Sequence, residues 1–386
     1  MRVFHVLPGR HDFAVNGATS VELCVADWVG QSRFRDSTTI VAEQGDSPLL
    51  PISIVRTPPI YQFVSWRLAY AVRRAARRKG CDLIVCQQHV ATAARIAALS
   101  PDIPVVLQTH NFIAPPRRGA LAGIANALVR RRLARLGGLT LISEATRADF
   151  EEKWPTIVIP REVVTNGFTF PDWSPSAARR QTVIVVGRTE EDKGLLEAAI
   201  GTVRFLAQRP DWDAVFVLSE PERNPAYFCR VEAALAPAGA RAQLLTCIPF
   251  QSVKELNEVA AIAVVASKWR EPFGRTALEA HAGGAALISS GAGGLREISG
   301  DCAAYLDQVT GEAIAEALSA LAADETRRAR LARDGAERVR RLFSLASSPD
   351  GASDAVIPVS ERLDAFCERV VSEWRKAKPR RGEERT

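Results

Sequence analysis

The sequence predicts an α/β protein of two domains, each built on a parallel sheet wrapped by helices. Short apolar, β-branched runs alternate with helix-like segments along the chain, which is the pattern of such sheets. The pattern changes within residues 163–181, a stretch that becomes rich in Pro, Ser and Trp, and it then restarts. With 386 residues, the chain is long enough for two domains that each bury a core.

In the first half, the apolar runs are the predicted strands and the segments between them the predicted helices. The runs lie at 2–7, 38–43, 82–86, 104–109 and 138–143. Ligands of such sheets bind beyond the carboxyl ends of the strands, so the residues that follow each run are candidates for a site. His110, directly after the fourth run, is one of them.

Arginines crowd into three segments of the first half, at 73–80, 115–119 and 130–135, although the formal charge of the whole chain is only +6. This half is therefore expected to meet an anionic partner. In the segment 119–138, apolar residues recur at helical spacing and arginines crowd the end. This pattern is typical of a helix that lies on an anionic bilayer, and equally of an ordinary domain helix with a solvated face. Basic and aromatic residues are not interleaved as they are in proteins that stack bases, so no nucleic-acid partner is predicted.

The second half restarts with a strand at 182–188, and further strands are predicted at 214–220, 242–250, 262–267 and 285–290. Arg188 and Lys193 follow the first of these strands. Both are cations suited to a diphosphate that gains negative charge as it leaves. An alternative is that Lys193 pairs with Glu197 one helical turn further on.

The segment 267–297 carries the most informative pattern, a strand, a loop and a helix followed by a second glycine-rich turn. Gly274, Arg275 and Thr276 stand where a helix begins, and unpaired amides there can seat a phosphate. Glu271 and Glu279 bracket this seat, and a carboxylate can accept hydrogen bonds from both hydroxyls of a diol. A phosphate between two hydroxylated groups describes a nucleotide sugar. The alternative is that Glu271 is a loop charge and Glu279 a first-turn acid placed by the helix dipole.

The letters EPFGRTALEA in this segment resemble the signature of two glutamates with seven residues between them in the retaining glycosyltransferases of family 4, and GGLREI resembles the turn that follows that signature. The resemblance implies the GT-B fold, with two Rossmann-like parallel-sheet domains facing a central cleft and a C-terminal helix that crosses back to the first domain. It divides the chain into an acceptor domain (1–172), a linker (173–181), a donor-nucleotide domain (182–358), a crossover helix (359–376) and a disordered tail (377–386).

The same resemblance implies a role for each matching residue of the second half. Glu279 binds the ribose hydroxyls, Glu271 binds the transferred sugar, and the backbone of Phe273, Gly274 and Arg275 lies near the diphosphate. Arg188 and Lys193 match the second signature of the family, and Ile248 lies near the base.

In the first half, the resemblance assigns Gly17 and Ala18 to the loop that approaches the donor diphosphate. The match is imperfect, because the family often has two adjacent glycines and here the first is Asn16, and a plain turn is the alternative. His110 is implied to face the transferred sugar, with a purely structural histidine as the alternative.

The activity implied is that of a retaining, metal-independent hexosyltransferase. It would move a sugar from a nucleoside-diphosphate sugar to a hydroxyl of a glycan or a lipid-linked glycan in polysaccharide biosynthesis. No cofactor is expected, and the scattered histidines and cysteines lack metal-ligand spacing. A nucleotide-sugar epimerase of the same fold and a non-catalytic nucleotide-sugar-binding protein remain alternatives.

The expected location is cytoplasmic, with an anionic membrane surface on its inner face as a candidate partner. The first residues lack the pattern of a signal peptide, and no apolar run reaches the length of a membrane span. The scattered, odd-numbered cysteines suit buried thiols in a reducing compartment.

Overall fold

The computed structural model describes residues 1–9, 12–15, 18–43, 47–57, 65–119, 122–346 and 356–377. The chain divides into two compact units, the first formed by Met1–Gly167 and Leu345–Thr386 and the second by Phe168–Ser344.

The predicted linker, 173–181, falls inside the second unit. Arg179 anchors it there, because its guanidinium donates to the carbonyl oxygens of Glu258 at 2.9 Å and of Ala260 at 3.2 Å. The chain therefore changes unit at Gly167, before this segment, and it returns to the first unit at Leu345. Residues 378–386 of the predicted tail lie outside the described residues.

The first unit contains a parallel sheet of seven strands in the order β3-β2-β1-β4-β5-β6-β7. The strands are β1 (Val3–Val6), β2 (Thr38–Ala42), β3 (Ser53–Arg56), β4 (Leu83–Gln87), β5 (Val105–Gln108), β6 (Gly138–Leu141) and β7 (Arg161–Val163). The helices between them are α1 (Ser20–Gln31), α2 (Ser65–Lys79), α3 (Val90–Leu99), α4 (Ala122–Leu133) and α5 (Glu144–Lys153).

The five predicted strands of this half are confirmed, and all five lie in the interior of the sheet. Their side chains are buried on both faces, as expected of parallel strands covered by helices. The two strands that the prediction missed, β3 and β7, form the edges of the sheet and are only four and three residues long. Such short, partly exposed strands carry too few apolar residues to show a pattern.

The second unit contains a parallel sheet of six strands in the order β10-β9-β8-β11-β12-β13. The strands are β8 (Arg180–Arg188), β9 (Asp213–Ser219), β10 (Ala242–Thr246), β11 (Ala260–Val265), β12 (Ala286–Ser289) and β13 (Ala303–Tyr305). The helices are α6 (Leu195–Gln208), α7 (Pro225–Leu235), α8 (Phe250–Val259), α9 (Arg275–Ala282), α10 (Gly294–Ser299), α11 (Gly311–Ala323) and α12 (Glu325–Leu342). The predicted strands of this half are confirmed, and the edge strand β13, three residues long, was missed.

The last described helix, α13 (Val359–Ala377), belongs to the first unit, as predicted. Its Asp364 accepts from the Ser32 hydroxyl at 2.7 Å and from the Arg33 backbone N–H at 2.9 Å. On its buried face, Phe366 and Val370 lie against Gly138, where a side chain would collide with both. The apolar stripe of this helix thus completes the core of the first unit.

None of the helices in the described ranges combines the length and the apolar character needed to cross a bilayer.

Candidate functional site

Three loops of the second unit follow neighbouring strands of its sheet. β8, β11 and β12 stand side by side, so the loops after them begin at the same edge. Two of these loops are joined through their backbones, because the Gly294 N–H donates to the Glu271 carbonyl oxygen at 2.8 Å. The sheet therefore assembles at one edge the segments 188–194, 267–279 and 291–297.

Lys193 and Glu271 form an ion pair at this edge. Lys193 Nζ lies 2.7 Å from Glu271 Oε1, and the two side chains are only 15% and 11% exposed. The Ser267 hydroxyl donates to the same Oε1 at 2.7 Å, and Lys193 Nζ lies 5.1 Å from the centre of the Trp269 ring. Charge-assisted hydrogen bonds and a cation–π contact therefore hold both charged groups in place.

Sequence reasoning missed Ser267 and Trp269. Neither belongs to a periodic pattern, and a serine or tryptophan in a loop has no signature of its own. Their proximity in the chain to Glu271 was the only available signal.

The turn that carries Lys193 lies against the loop after β11. Gly194 adopts a φ of +66°, and a Cβ at this position would collide with the carbonyl oxygen of Ala266. Glu197, the alternative partner of Lys193, instead accepts from Lys268 Nζ at 2.8 Å. The alternative that Lys193 pairs one turn along its own helix is therefore wrong.

Glu279 lies on α9, one turn after Arg275, and the two side chains are paired. Arg275 Nε lies 2.9 Å from Glu279 Oε1, with side-chain exposures of 11% and 8%. The Arg275 guanidinium carbon lies 5.1 Å and 5.3 Å from the ring centres of Phe168 and Phe250. The resemblance assigned only the backbone of Arg275 to the site, whereas the structure shows that its side chain fixes the Glu279 carboxylate.

The other predicted residues of this unit are more dispersed. Arg188 ends β8, pairs with Glu190 at 2.8 Å and has a side chain that is 46% exposed. Phe273 is buried, and Thr276 is half-buried in the first turn of α9. Ile248 is half-buried and packs against a small apolar cluster that includes Val215. The structure thus brings Lys193 and Glu271 into direct contact and gives Arg188 a separate ion pair.

His110 is held at the carboxyl edge of the sheet in the first unit. Its backbone N–H donates to Gln88 Oε1 at 2.7 Å, and its Nε2 lies 2.8 Å from Gln87 Oε1. Because the Gln87 amide nitrogen donates to Gln108 at 3.2 Å, its oxygen is left to accept from His110, which places a proton on Nε2. The His110 ring also lies 5.6 Å from the Trp28 ring, centre to centre. Gln87 ends β4 and Gln88 follows it, but no role was predicted for either residue.

Of the predicted small-residue loop, Gly17 lies outside the described residues. Ala18 is half-buried and directly precedes Thr19, whose side chain caps helix α1.

Within the described ranges, no group of three or more His, Cys, Asp or Glu side chains is arranged to hold a metal ion.

Two family models match the chain, one on each half. The model of the glycosyl transferases group 1 matches residues 171–338, and the model of glycosyltransferase family 4 matches residues 29–169.

Curated and solved proteins agree with this assignment. The alpha-maltose-1-phosphate synthase of Mycobacterium tuberculosis is 27% identical over 290 residues, which cover 67% of this chain and 74% of that protein. A D-inositol 3-phosphate glycosyltransferase of Xylanimonas cellulosilytica is 28% identical over 229 residues, covering 54% of this chain and 52% of that protein.

Among solved structures, the Anabaena protein HepE in complex with UDP and glucose superposes with a TM-score of 0.71 at 18% identity, covering 96% of this chain and 100% of that one. At this identity the similarity shows the fold. Taken with the two family models, it shows that the chain belongs to the family 4 glycosyltransferases of the GT-B type.

Proposed function

We propose that this glycosyltransferase moves a sugar from a nucleoside-diphosphate sugar to a hydroxyl acceptor, with retention at the anomeric carbon, and that the second unit binds the donor. The observation that carries the proposal is the ion pair of Lys193 and Glu271 at the edge of the sheet where α9 begins. A cation, a carboxylate and a helix start in one place suit a sugar diphosphate, whose phosphates are anionic and whose ring carries hydroxyls.

Each group of this edge has a proposed part in donor binding. The first amides of α9, from Gly274 to Thr276, together with Lys193, bind the diphosphate, because the helix start and the ammonium are both positive. The Glu271 carboxylate accepts from hydroxyls of the transferred sugar, and the Glu279 carboxylate accepts from the ribose. The pairing of Arg275 with Glu279 supports this assignment, since it fixes the carboxylate before the nucleotide arrives.

The remaining site residues have supporting roles in the proposed binding of the donor. Arg188 adds positive charge near the diphosphate, and Ile248 lies against the base. Gly17 and Ala18 keep the phosphate-binding part, and His110 the sugar-binding part, that the resemblance implies.

In the proposed reaction, the bond between the anomeric carbon and the diphosphate oxygen breaks, and the acceptor oxygen bonds to that carbon on the same face. The acceptor proton passes to the departing diphosphate, so no protein base is consumed. Lys193 stabilises the negative charge that collects on the diphosphate in the transition state. We assign this charge stabilisation to Lys193 and Arg188 and propose that the transfer needs neither a metal ion nor a cofactor.

The acceptor we propose is a glycan or a lipid-linked glycan of a polysaccharide pathway, met in the cytoplasm at the inner face of the membrane. The arginine-rich helices of the first unit support this part of the proposal, because cations attract an anionic lipid surface.

A thermal-shift screen with UDP, GDP and ADP sugars tests the donor assignment, because a ligand that binds only the folded state raises its melting temperature. UDP-glucose is the first donor to test, since the Anabaena protein of the same fold was solved with UDP and glucose. We expect the sugar nucleotides of one base to raise the melting temperature of the wild type, and to raise that of the Glu279→Gln variant by less. Absence of a shift with every donor would refute the proposal.

Product analysis separates transfer from the two alternatives. Transfer gives a glycosylated acceptor whose new bond has the anomeric configuration of the donor, which NMR spectroscopy reports. An isomerised nucleotide sugar formed without an acceptor would identify an epimerase. Donor binding without transfer, hydrolysis or isomerisation would identify a binding protein.

A further inference from the structure

The helices α2, α3 and α4 of the first unit form one face with an extreme charge composition. α3 packs against both of the others. Together the three helices contain ten basic residues and no acidic one, whereas the whole chain has 50 basic and 44 acidic residues, so the rest of the chain is net acidic. The following helix, α5, contains four acidic residues and therefore does not extend this face.

Large apolar side chains are exposed on the same helices. Trp66 and Tyr70 of α2 are 50% and 63% exposed, and Ile124 and Leu128 of α4 are 74% and 46% exposed. Each pair has the spacing i, i+4, so on each helix the two side chains stand on one stripe. We call these four residues the apolar band.

Five of the six exposed arginines of α2 and α4 lie nearer to the C-terminal ends of these helices, and the sixth, Arg67, stands beside Trp66 at the start of α2. The basic band consists of Arg74, Arg77 and Arg78 of α2 with Arg130 and Arg131 of α4, all of them exposed. Because these helices connect parallel strands, they run antiparallel to the strands and begin at the edge of the sheet where the strands have their carboxyl ends. The apolar band therefore lies toward the edge that carries His110, and the basic band lies toward the opposite edge.

We infer that this face binds the surface of an anionic lipid bilayer. Trp and Tyr favour the interface between headgroups and acyl chains, exposed aliphatic side chains favour the apolar side of that boundary, and arginines attract anionic headgroups. A single-stranded nucleic acid would use stacking aromatic residues and gains nothing from Ile124 and Leu128. A second copy of the same face would be repelled by its like charge.

The orientation deepens the proposed function. With the apolar band at the bilayer, the edge that carries His110 faces the lipid surface, so an acceptor held by a lipid anchor would reach it without leaving the membrane. This last step rests on the proposed function, whereas the bilayer contact does not.

Sedimentation of the full chain with vesicles tests the inference. We use phosphatidylcholine vesicles with and without about a third of phosphatidylglycerol, and we expect binding to the anionic vesicles that weakens as salt is added. Each arginine near an anionic surface contributes about a fivefold factor in affinity. Neutralising four of them should therefore lower binding several hundredfold. The basic-band variant is Arg74→Gln, Arg77→Gln, Arg78→Gln and Arg131→Gln.

A matched control variant removes the same number of positive charges from helix α12 of the second unit, where five arginines are exposed and four of them are replaced. It should keep vesicle binding within about threefold, because α12 also contains acidic residues and has no apolar band. The control is Arg327→Gln, Arg330→Gln, Arg333→Gln and Arg341→Gln. A third variant, Ile124→Ser with Leu128→Ser, should weaken vesicle binding and leave its salt dependence unchanged. Melting temperatures close to that of the wild type show that the variants are folded.

Three results would overturn the inference: equal binding to neutral and anionic vesicles, an equal loss in the control variant, or binding of an RNA homopolymer without binding of anionic vesicles. Donor binding is measured separately by thermal shift in the same variants. Vesicle binding without donor binding would refute the donor assignment and leave the bilayer contact standing. Donor binding without vesicle binding would refute the bilayer contact, and with it the proposed membrane location of the acceptor, and leave the donor assignment standing.

Discussion

Replacing Lys193 by Met removes the cation of the Lys193–Glu271 pair and keeps most of the side-chain volume. Loss of one preorganised group that stabilises transition-state charge raises a barrier by about 2 to 4 kcal/mol, which corresponds to a rate about 30- to 1000-fold lower. Because Lys193 is only 15% exposed and 2.7 Å from Glu271, water does not replace it readily. We expect kcat to fall within this range, measured as glycosyl transfer with saturating donor.

The same substitution also tests how much the Lys193–Glu271 ion pair contributes to the free energy of unfolding. Breaking a fully buried ion pair costs about 3 to 5 kcal/mol. Here the cost should be smaller, about 2 kcal/mol, because both side chains keep some exposure and Ser267 still donates to Glu271. Urea unfolding measures this loss, and the transfer assay is run well below the melting temperature so that only folded enzyme is compared.

Lys268 provides a matched control in the same loop. It also pairs with a carboxylate, Glu197, at 2.8 Å, but the two side chains are 39% and 24% exposed. Lys268→Met should cost less than about 1 kcal/mol of stability and leave transfer unchanged. The reasoning is refuted if folded Lys193→Met transfers sugar within threefold of the wild type, or if Lys268→Met lowers kcat as strongly.

Three further predictions concern stability. Gly194→Ala should lower the free energy of unfolding by more than about 2 kcal/mol, because the new Cβ would collide with the Ala266 carbonyl oxygen and alanine is strained in the left-handed conformation of this residue. A melting temperature within a degree of the wild type would contradict this. Burial lowers the pKa of both His5 and His281 from 6.5 to about 4. Below pH 6.5 the unfolded chain therefore binds protons that the native state excludes, and the free energy of unfolding of each unit should fall by about 3 kcal/mol by pH 4. Urea midpoints that stay constant from pH 7 to pH 4 would contradict this prediction. Trp28→Phe removes the indole N–H that donates to a buried carbonyl at 3.0 Å and should cost about 1 to 3 kcal/mol in urea unfolding, with an unchanged midpoint as the contrary result.

The sequence alone determined the fold class, because interior strands of a parallel sheet are buried on both faces and so appear as apolar runs. The edge strands β3, β7 and β13 left no such run and were found only in the structure. The boundary between the units also depended on tertiary contacts, since Arg179 ties a segment that looks like a linker to the second unit.

For the site, the sequence determined which chemical groups are present. A glycine-rich helix start with a glutamate on either side can be recognised from local spacing, and so can a cation after β8. The tertiary structure decided which of these groups meet. Lys193 and Glu271 are 78 residues apart and come together because β8 and β11 are neighbours in the sheet, whereas Arg188 turns to Glu190 beside it. Strand order depends on packing across the whole unit, and local periodicity does not encode it.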